Sequence, residues 1–255
     1  MIKYNYLFGT DINLTKYNLG VIKQPKIKDF VENNISMEQF YIPFIFSDIL
    51  INNSPNPDDV IEIKNKIGDL TFLLFYMSED NENAIELLKN FKKVLFMLYG
   101  TDNMSFTNKT ITISDSIIID NNNFSILCDI ILEFLVIDKK QFLKKVKHKE
   151  EKSAILQRFE KLEQESLKKQ KNKNKGFGIL ELCNIIIHNS NFTYEQVYNM
   201  TIYQIKNSYE VLMEKESYMT QQLYRISPKF EFKDDKKSFK HWSDKTRLNN
   251  SCVKI

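Results

Sequence analysis

Two helix-start signals stand eight residues apart in this chain, and no other stretch restricts its local geometry as tightly. In Phe192-Thr193-Tyr194-Glu195-Gln196-Val197 a threonine is followed three residues later by glutamine, and an apolar pair, Phe192 and Val197, flanks the two. Met200-Thr201-Ile202-Tyr203-Gln204-Ile205 repeats the pattern. A threonine hydroxyl in this setting accepts the backbone N–H three residues on, the glutamine side chain reaches back to the threonine N–H, and the apolar pair staples the entry. Starts so close together predict one short helix and then a long one. The long one runs from Ile202 to about Leu223, with Ile205, Tyr209, Leu212, Met219 and Leu223 on its seam and Glu216 interrupting it.

The same reasoning predicts helices earlier in the chain. Ser36 and Gln39 form a third box, stapled by Ile35 and Phe40, and Pro43 is expected to kink or shorten the helix that begins there. Ahead of it, Gln24 to Val31 reads as a short helix, with Pro25 in its first turn, Ile27, Phe30 and Val31 at helical spacing, and Asn33-Asn34 as the stop. Residues 52–59, with Pro55 and Pro57, read as a loop, followed by helices over about 60–77 and 82–99, the second carrying Ile85, Leu88, Lys92, Leu95 and Tyr99 on one stripe.

From Met104 the apolar period changes from helical to two. The short runs Met104–Phe106, Thr110–Ile113 and Ile117–Ile119 predict a small antiparallel meander; Asp120 to Asn123 reads as a turn, and Phe124 to Val136 as a buried helix. Ile179 to Ile187 reads as another, with Leu182 and Ile186 inward. The fold class that follows is α+β, predominantly α-helical, with a β meander inserted around 104–119. Four regions are expected: a helical region with the meander over 1–137, a charged helix and basic linker over 138–175, a helical region over 176–226, and a charged tail over 227–255.

Composition decides how much weight single residues carry. With 33 Lys against 3 Arg, 31 Ile, 26 Asn and 2 Ala among 255 residues, the chain has the bias of an AT-rich genome, so a lysine or asparagine by itself says little about function. The net charge of +3 is unevenly spread: residues 138–175 hold 14 Lys/Arg and 6 Asp/Glu, leaving the rest of the chain acidic. That segment contains one arginine, Arg158, and no interleaved aromatics in its run from Lys168 to Lys175, which argues for a solvated linker over a nucleic-acid site. Three scattered cysteines, Cys128, Cys183 and Cys252, suit reduced thiols. The amino terminus lacks the apolar core of a signal peptide, and no apolar run is long enough to span a bilayer, so a soluble protein without membrane contact is expected.

Constellations that could carry chemistry are incomplete. Cys183 and His188 lie five apart, on different faces of a helix, and His241 and Cys252 are remote, which argues against a metal site. Asp120, Asp129 and Glu133 could hold magnesium in a nuclease, but the expected Glu-x-Lys strand is missing: Glu133-Phe-Leu135 offers leucine. Six glycines include no phosphate loop, and no Ser/His or Cys/His signature is present. No catalytic residue, no metal ligand and no cofactor is therefore assigned. Among surface candidates, Phe239 and Trp242 stand out as a partner-binding pair, because a lone tryptophan among Lys236, Lys237, Lys240, His241, Asp244 and Lys245 has few local apolar neighbours to bury it.

Taken in order, Gln24-Pro-Lys-Ile-Lys-Asp-Phe30, the Ser36 helix start, the Lys-rich stretch, Asn191 to Ile205 and the terminal Trp242 resemble the tail assembly chaperone-like proteins of phages and prophages of Gram-positive hosts. The resemblance implies a non-enzymatic protein that binds phage tail or baseplate proteins during assembly in the host bacterial cytoplasm. Two alternatives stay open: a structural subunit that remains in the mature tail or baseplate of the virion, and a nucleic-acid-binding regulator using residues 138–175.

Overall fold

The computed structural model describes residues 2–114, 116–139, 178–226, 241 and 243. Residues 138–175, apart from the first two, and the aromatic pair Phe239 and Trp242 therefore lie outside the described residues. The chain is mainly helical, with two small antiparallel sheets, the second of them the meander that the change of apolar period predicts.

Helix α1 (Ile2–Phe8) opens the chain, followed by a two-residue hairpin, β1 (Ile12–Asn13) and β2 (Val21–Ile22), in which Ile12 faces Ile22. Neither α1 nor this hairpin is evident in the sequence pattern, because each is too short for a period. Helix α2 (Ile27–Glu32) begins two residues after Pro25, which therefore lies outside its first turn: Lys26 is the cap, its N–H donating to Asp29 Oδ2 at 2.7 Å. Ile27 and Phe30 are buried and Val31 is exposed. Helix α3 (Met37–Tyr41) starts at Ser36, whose Oγ accepts the Gln39 N–H at 3.1 Å while Gln39 Oε1 accepts the Ser36 N–H at 2.9 Å. Pro43 ends it: a 3-10 turn over Ile42–Phe44 leads into α4 (Phe46–Asn53), which occupies the first part of the expected 52–59 loop.

The expected 60–77 helix is two helices, α5 (Pro57–Ile67) and α6 (Asp69–Met77), separated by Gly68 at φ 85°. The break has a tertiary cause. Asn121 Oδ1 accepts the N–H groups of Leu70 and Thr71, and Asn121 Nδ2 donates to Ile67 O, so a residue 50 positions away caps both sides of the junction. Helix α7 (Glu82–Tyr99) begins with Asn81 accepting the Ala84 N–H at 2.8 Å. Its buried face is Ala84, Phe91, Val94, Leu95, Met97 and Leu98, whereas Ile85 and Lys92 of the expected stripe point outward. That face is rotated because α3 and α6 both pack on it.

The meander is β3 (Met104–Phe106), β4 (Ile111–Ile113) and β5 (Ile117–Ile119), with Met104 opposite Ile113 and Ile111 opposite Ile119. Asp120 does not sit in a turn but caps α8 (Asn121–Phe134), accepting the N–H groups of Asn122 and Asn123 at 2.8 and 3.0 Å. Asparagines that look like turn residues thus form the first helical turn. Helix α8 stops short of Val136, which adopts a left-handed φ of 55°.

Helices α9 (Ile179–Asn189), α10 (Tyr194–Tyr198) and α11 (Ile202–Ile226) follow, with α9 packed along α11. One hydrophobic cluster includes Tyr6, Phe91, Ile131, Leu182, Ile186 and Ile205, so residues of 1–137 and of 176–226 share a core. The seam of α11 is covered only in its first half: Ile205 is fully buried, but Met219 and Leu223 are 55% and 63% exposed.

Candidate binding groove

Four helix ends meet around Thr201. Its Oγ1 accepts the Gln204 N–H at 3.3 Å and Gln204 Oε1 accepts the Thr201 N–H at 2.8 Å, while the free end of the same carboxamide donates to Leu7 O at 3.0 Å, tying α11 to the end of α1. Thr201 also bridges to Lys26, and Ile27 N–H donates to Met200 O at 2.9 Å, which joins the start of α2. One turn further along α11, Lys206 Nζ donates to Leu135 O at 2.8 Å, placing a cation on the negative end of α8. Thr193, by contrast, caps α10 on the surface, accepting the Gln196 N–H at 3.2 Å while Gln196 Oε1 accepts the Thr193 N–H at 2.9 Å. The six capping residues Ser36, Gln39, Thr193, Gln196, Thr201 and Gln204 are therefore three reciprocal pairs that orient helices; Phe239 and Trp242 lie outside the described residues.

Beyond this junction, the carboxy-terminal end of α9 and the middle of α11 diverge around a groove of about 490 Å³. Its apolar lining is Ile186, Phe192, Val211 and Leu212. Its polar lining combines Asn189, Ser190 and Asn191 with Asn207, Ser208 and Lys215. Asn189 Nδ2 and Ser190 Oγ are used locally, donating to Ile185 O at 2.9 Å and Ile186 O at 2.5 Å to close the end of α9. Asn207 is different. It is 8% exposed, and its Oδ1 is buried with no hydrogen-bond partner. A buried carboxamide oxygen left unpaired costs about 1–3 kcal/mol, so it is a feature to be explained rather than ignored. No carboxylate among the described residues pairs with Lys215.

The chain also returns to α11 next to this groove: the His241 ring packs edge-on against Tyr218 at 5.0 Å, and its Nδ1 lies 2.7 Å from Ser243 Oγ. Nothing in the residue order between Ile226 and His241 foretells that contact.

A second polar site lies between α4, α5, α6 and the end of α8. Asp48 is 5% exposed, with Lys64 and Lys139 each 3.6 Å from its carboxylate; Lys64 is also 3.1 Å from Asp69, to which Ser47 donates at 2.6 Å. The adjoining cavity is about 30 Å³, room for a water molecule but not for a substrate. This cluster joins four elements and reads as structural.

The groups that suggested chemistry are used structurally or point apart. Asp120 caps α8, Asp129 is exposed, and Glu133 accepts the Tyr6 hydroxyl at 3.1 Å, so the three carboxylates do not converge. Burial raises the Tyr6 phenol, and the neighbouring Glu133 charge raises it further, so it stays a hydrogen-bond donor. Helix α9 turns Cys183 inward and His188 outward. Burial pushes the Cys183 thiol up to about 11 and that of Cys128 higher, keeping both protonated at neutral pH and poor as nucleophiles or metal ligands. No group of three His, Cys, Asp or Glu among the described residues could hold a metal ion, and no helix among them is long and apolar enough to cross a membrane.

The groove was not legible beforehand. Asn207 lies on the i, i+4 row Tyr203–Asn207–Val211, and a polar residue between two apolar ones on an inward row is the signal that could have marked it. In a chain with 26 asparagines that signal is lost in the composition.

Residues 168–247, under a third of the chain, match the family model of the YomV second domain. That domain comes from a Bacillus phage-type protein, and the match marks the chain as phage-related. The matched region contains α9 to α11 and the whole groove. No curated protein and no solved structure matches the chain.

Proposed function

We propose that the protein is a non-enzymatic phage tail morphogenesis protein that binds tail or baseplate components in the host cytoplasm during assembly. The observation that carries this reading is the coincidence of the phage-type domain match with an exposed apolar surface. Within residues 168–247, Tyr194, Met213, Met219, Leu223 and Tyr224 are all exposed. Aromatic and methionine side chains on a surface are the residue types that partner interfaces favour. The non-enzymatic part is supported by the structural use of Asp120 and Glu133 and by the protonated, buried thiols. Trp242 belongs to the same matched region and remains part of the proposed interface by its chemistry alone.

The test is capture from phage-infected cells. The tagged full-length protein is expected to retain tail or baseplate subunits from lysate, and mass spectrometry of purified particles is expected not to find it. Stoichiometric presence in finished particles would favour the structural-subunit alternative. Capture of nucleic acid alone, lost when lysines of 138–175 are neutralised, would favour the regulator.

A further inference from the structure

We propose that the end of α8 is a two-state joint: Lys206 of α11 holds it in a strained stop at Val136, and release of that lysine lets α8 run on by one turn through residues 136–139. The joint goes beyond the assembly role proposed above and does not depend on it.

The stop has no local cause. Between Phe124 and Lys139 there is no glycine, proline or asparagine, the residues that ordinarily end a helix. Helix α7 of the same chain ends conventionally, on Gly100 at φ 71°. At the end of α8 the same left-handed position is filled by Val136 at φ 55°, a conformation that a β-branched residue strongly disfavours. The hydrogen bonds there are those of a closed terminus: Val136 N–H donates to Glu133 O at 3.0 Å and Ile137 N–H to Leu132 O at 2.9 Å. In a continuing helix the two donors would exchange acceptors, Val136 serving Leu132 and Ile137 serving Glu133.

What holds the strain comes from elsewhere in the chain. Lys206 Nζ donates to Leu135 O at 2.8 Å and lies 3.4 Å from Val136 O. These are the carbonyls that the amides of residues 139 and 140 would need for the next turn, so the ammonium and the growing helix compete for the same two acceptors. A second tie, Lys139 to Asp48 at 3.6 Å, draws the chain beyond the stop towards α4. It is a tie that can open: Lys139 is 43% exposed, and Lys64 stays on the buried Asp48 carboxylate when Lys139 leaves. Lys206 belongs to the phage-type region and α8 does not, so through this one side chain the matched region sets where α8 ends and in which direction the chain leaves it. Strain kept in place by distant partners, at a point where the local sequence favours continuation, is the mark of an element with two arrangements.

The experiment reads amide hydrogen exchange at Asp138 and Lys139 by NMR in the full-length protein. Lys206→Met frees the two carbonyls and Val136→Ala favours the helical conformation at the joint, so each is expected to slow exchange at both amides several-fold as they acquire helical acceptors. Adding Val136→Gly to Lys206→Met is expected to restore the parent's faster exchange, because glycine adopts the left-handed stop without strain. A lysine that merely caps α8 gives the opposite sign, since its loss frays the terminus and exchange there quickens. The proposal is overturned if exchange is unchanged or faster in Lys206→Met, or if Val136→Gly does not reverse the slowing. Should Lys206→Met fail to fold, Val136→Ala decides alone: slower exchange supports the joint, and unchanged or faster exchange overturns it.

Discussion

Replacing Thr201 by valine removes one oxygen and keeps the shape of a side chain that is 2% exposed. The lost hydroxyl accepts the Gln204 N–H at 3.3 Å, in a part-buried position at the meeting of α1, α2 and α11, where water cannot take its place. A lost threonine cap costs roughly 0.5–2 kcal/mol, and an unsatisfied buried donor about 1–3 kcal/mol. The two estimates describe the same N–H and are not added; about 2 kcal/mol is expected. For a chain of this size that is a fall of roughly 4–8 °C in melting temperature. Thr193→Val removes the equivalent oxygen from an exposed cap, where water can satisfy the Gln196 N–H, so it should cost about 0.5–1 kcal/mol. Thr201→Ser keeps the oxygen and deletes the methyl that packs over Gly9, about 0.8 kcal/mol. Urea unfolding followed by far-ultraviolet circular dichroism and by fluorescence gives the order directly, as midpoint shifts at unchanged slope. If Thr201→Val lies within about 0.5 kcal/mol of the parent, or Thr193→Val costs as much, burial does not set the strength of these caps and the reasoning fails.

Gly68→Ala should destabilise by about 3 kcal/mol, because it combines an unfavourable positive φ with a Cβ that would sit 2.5–2.7 Å from the Asn121 carboxamide and displace the cap between α5 and α6; an unchanged urea midpoint would remove that cap from the account. Asp48→Ala leaves Lys64 and Lys139 without their shared carboxylate and should cost about 3 kcal/mol, read in the same denaturation series, with Lys139→Ala costing much less since that side chain is 43% exposed. In a Cys252→Ser background, neither remaining thiol should react with a disulfide reagent at pH 7–8 in the folded state, and Cys183 should gain reactivity only as pH rises towards 11; fast labelling at neutral pH would contradict its burial.

The sequence by itself determined the local starts and stops. Ser36, Thr193 and Thr201 each carry a partner glutamine three residues on, Pro43 interrupts a helix whatever surrounds it, and the change of apolar period after Met104 separates strands from helices. These depend on bonds spanning three or four residues, so their signals are contiguous. What only the tertiary structure decided involves distant partners. Asn121 splits α5 from α6 across 50 residues, and the packing of α3 and α6 turns Ile85 away from the core. Gln204 reaches Leu7 across 197 residues, which makes one of two identical capping boxes a keystone and leaves the other on the surface. The groove is of this second kind: its walls come from two helices and a loop, and Asn207 becomes conspicuous only when burial is known, because solvation and not residue type makes an unpaired carboxamide costly.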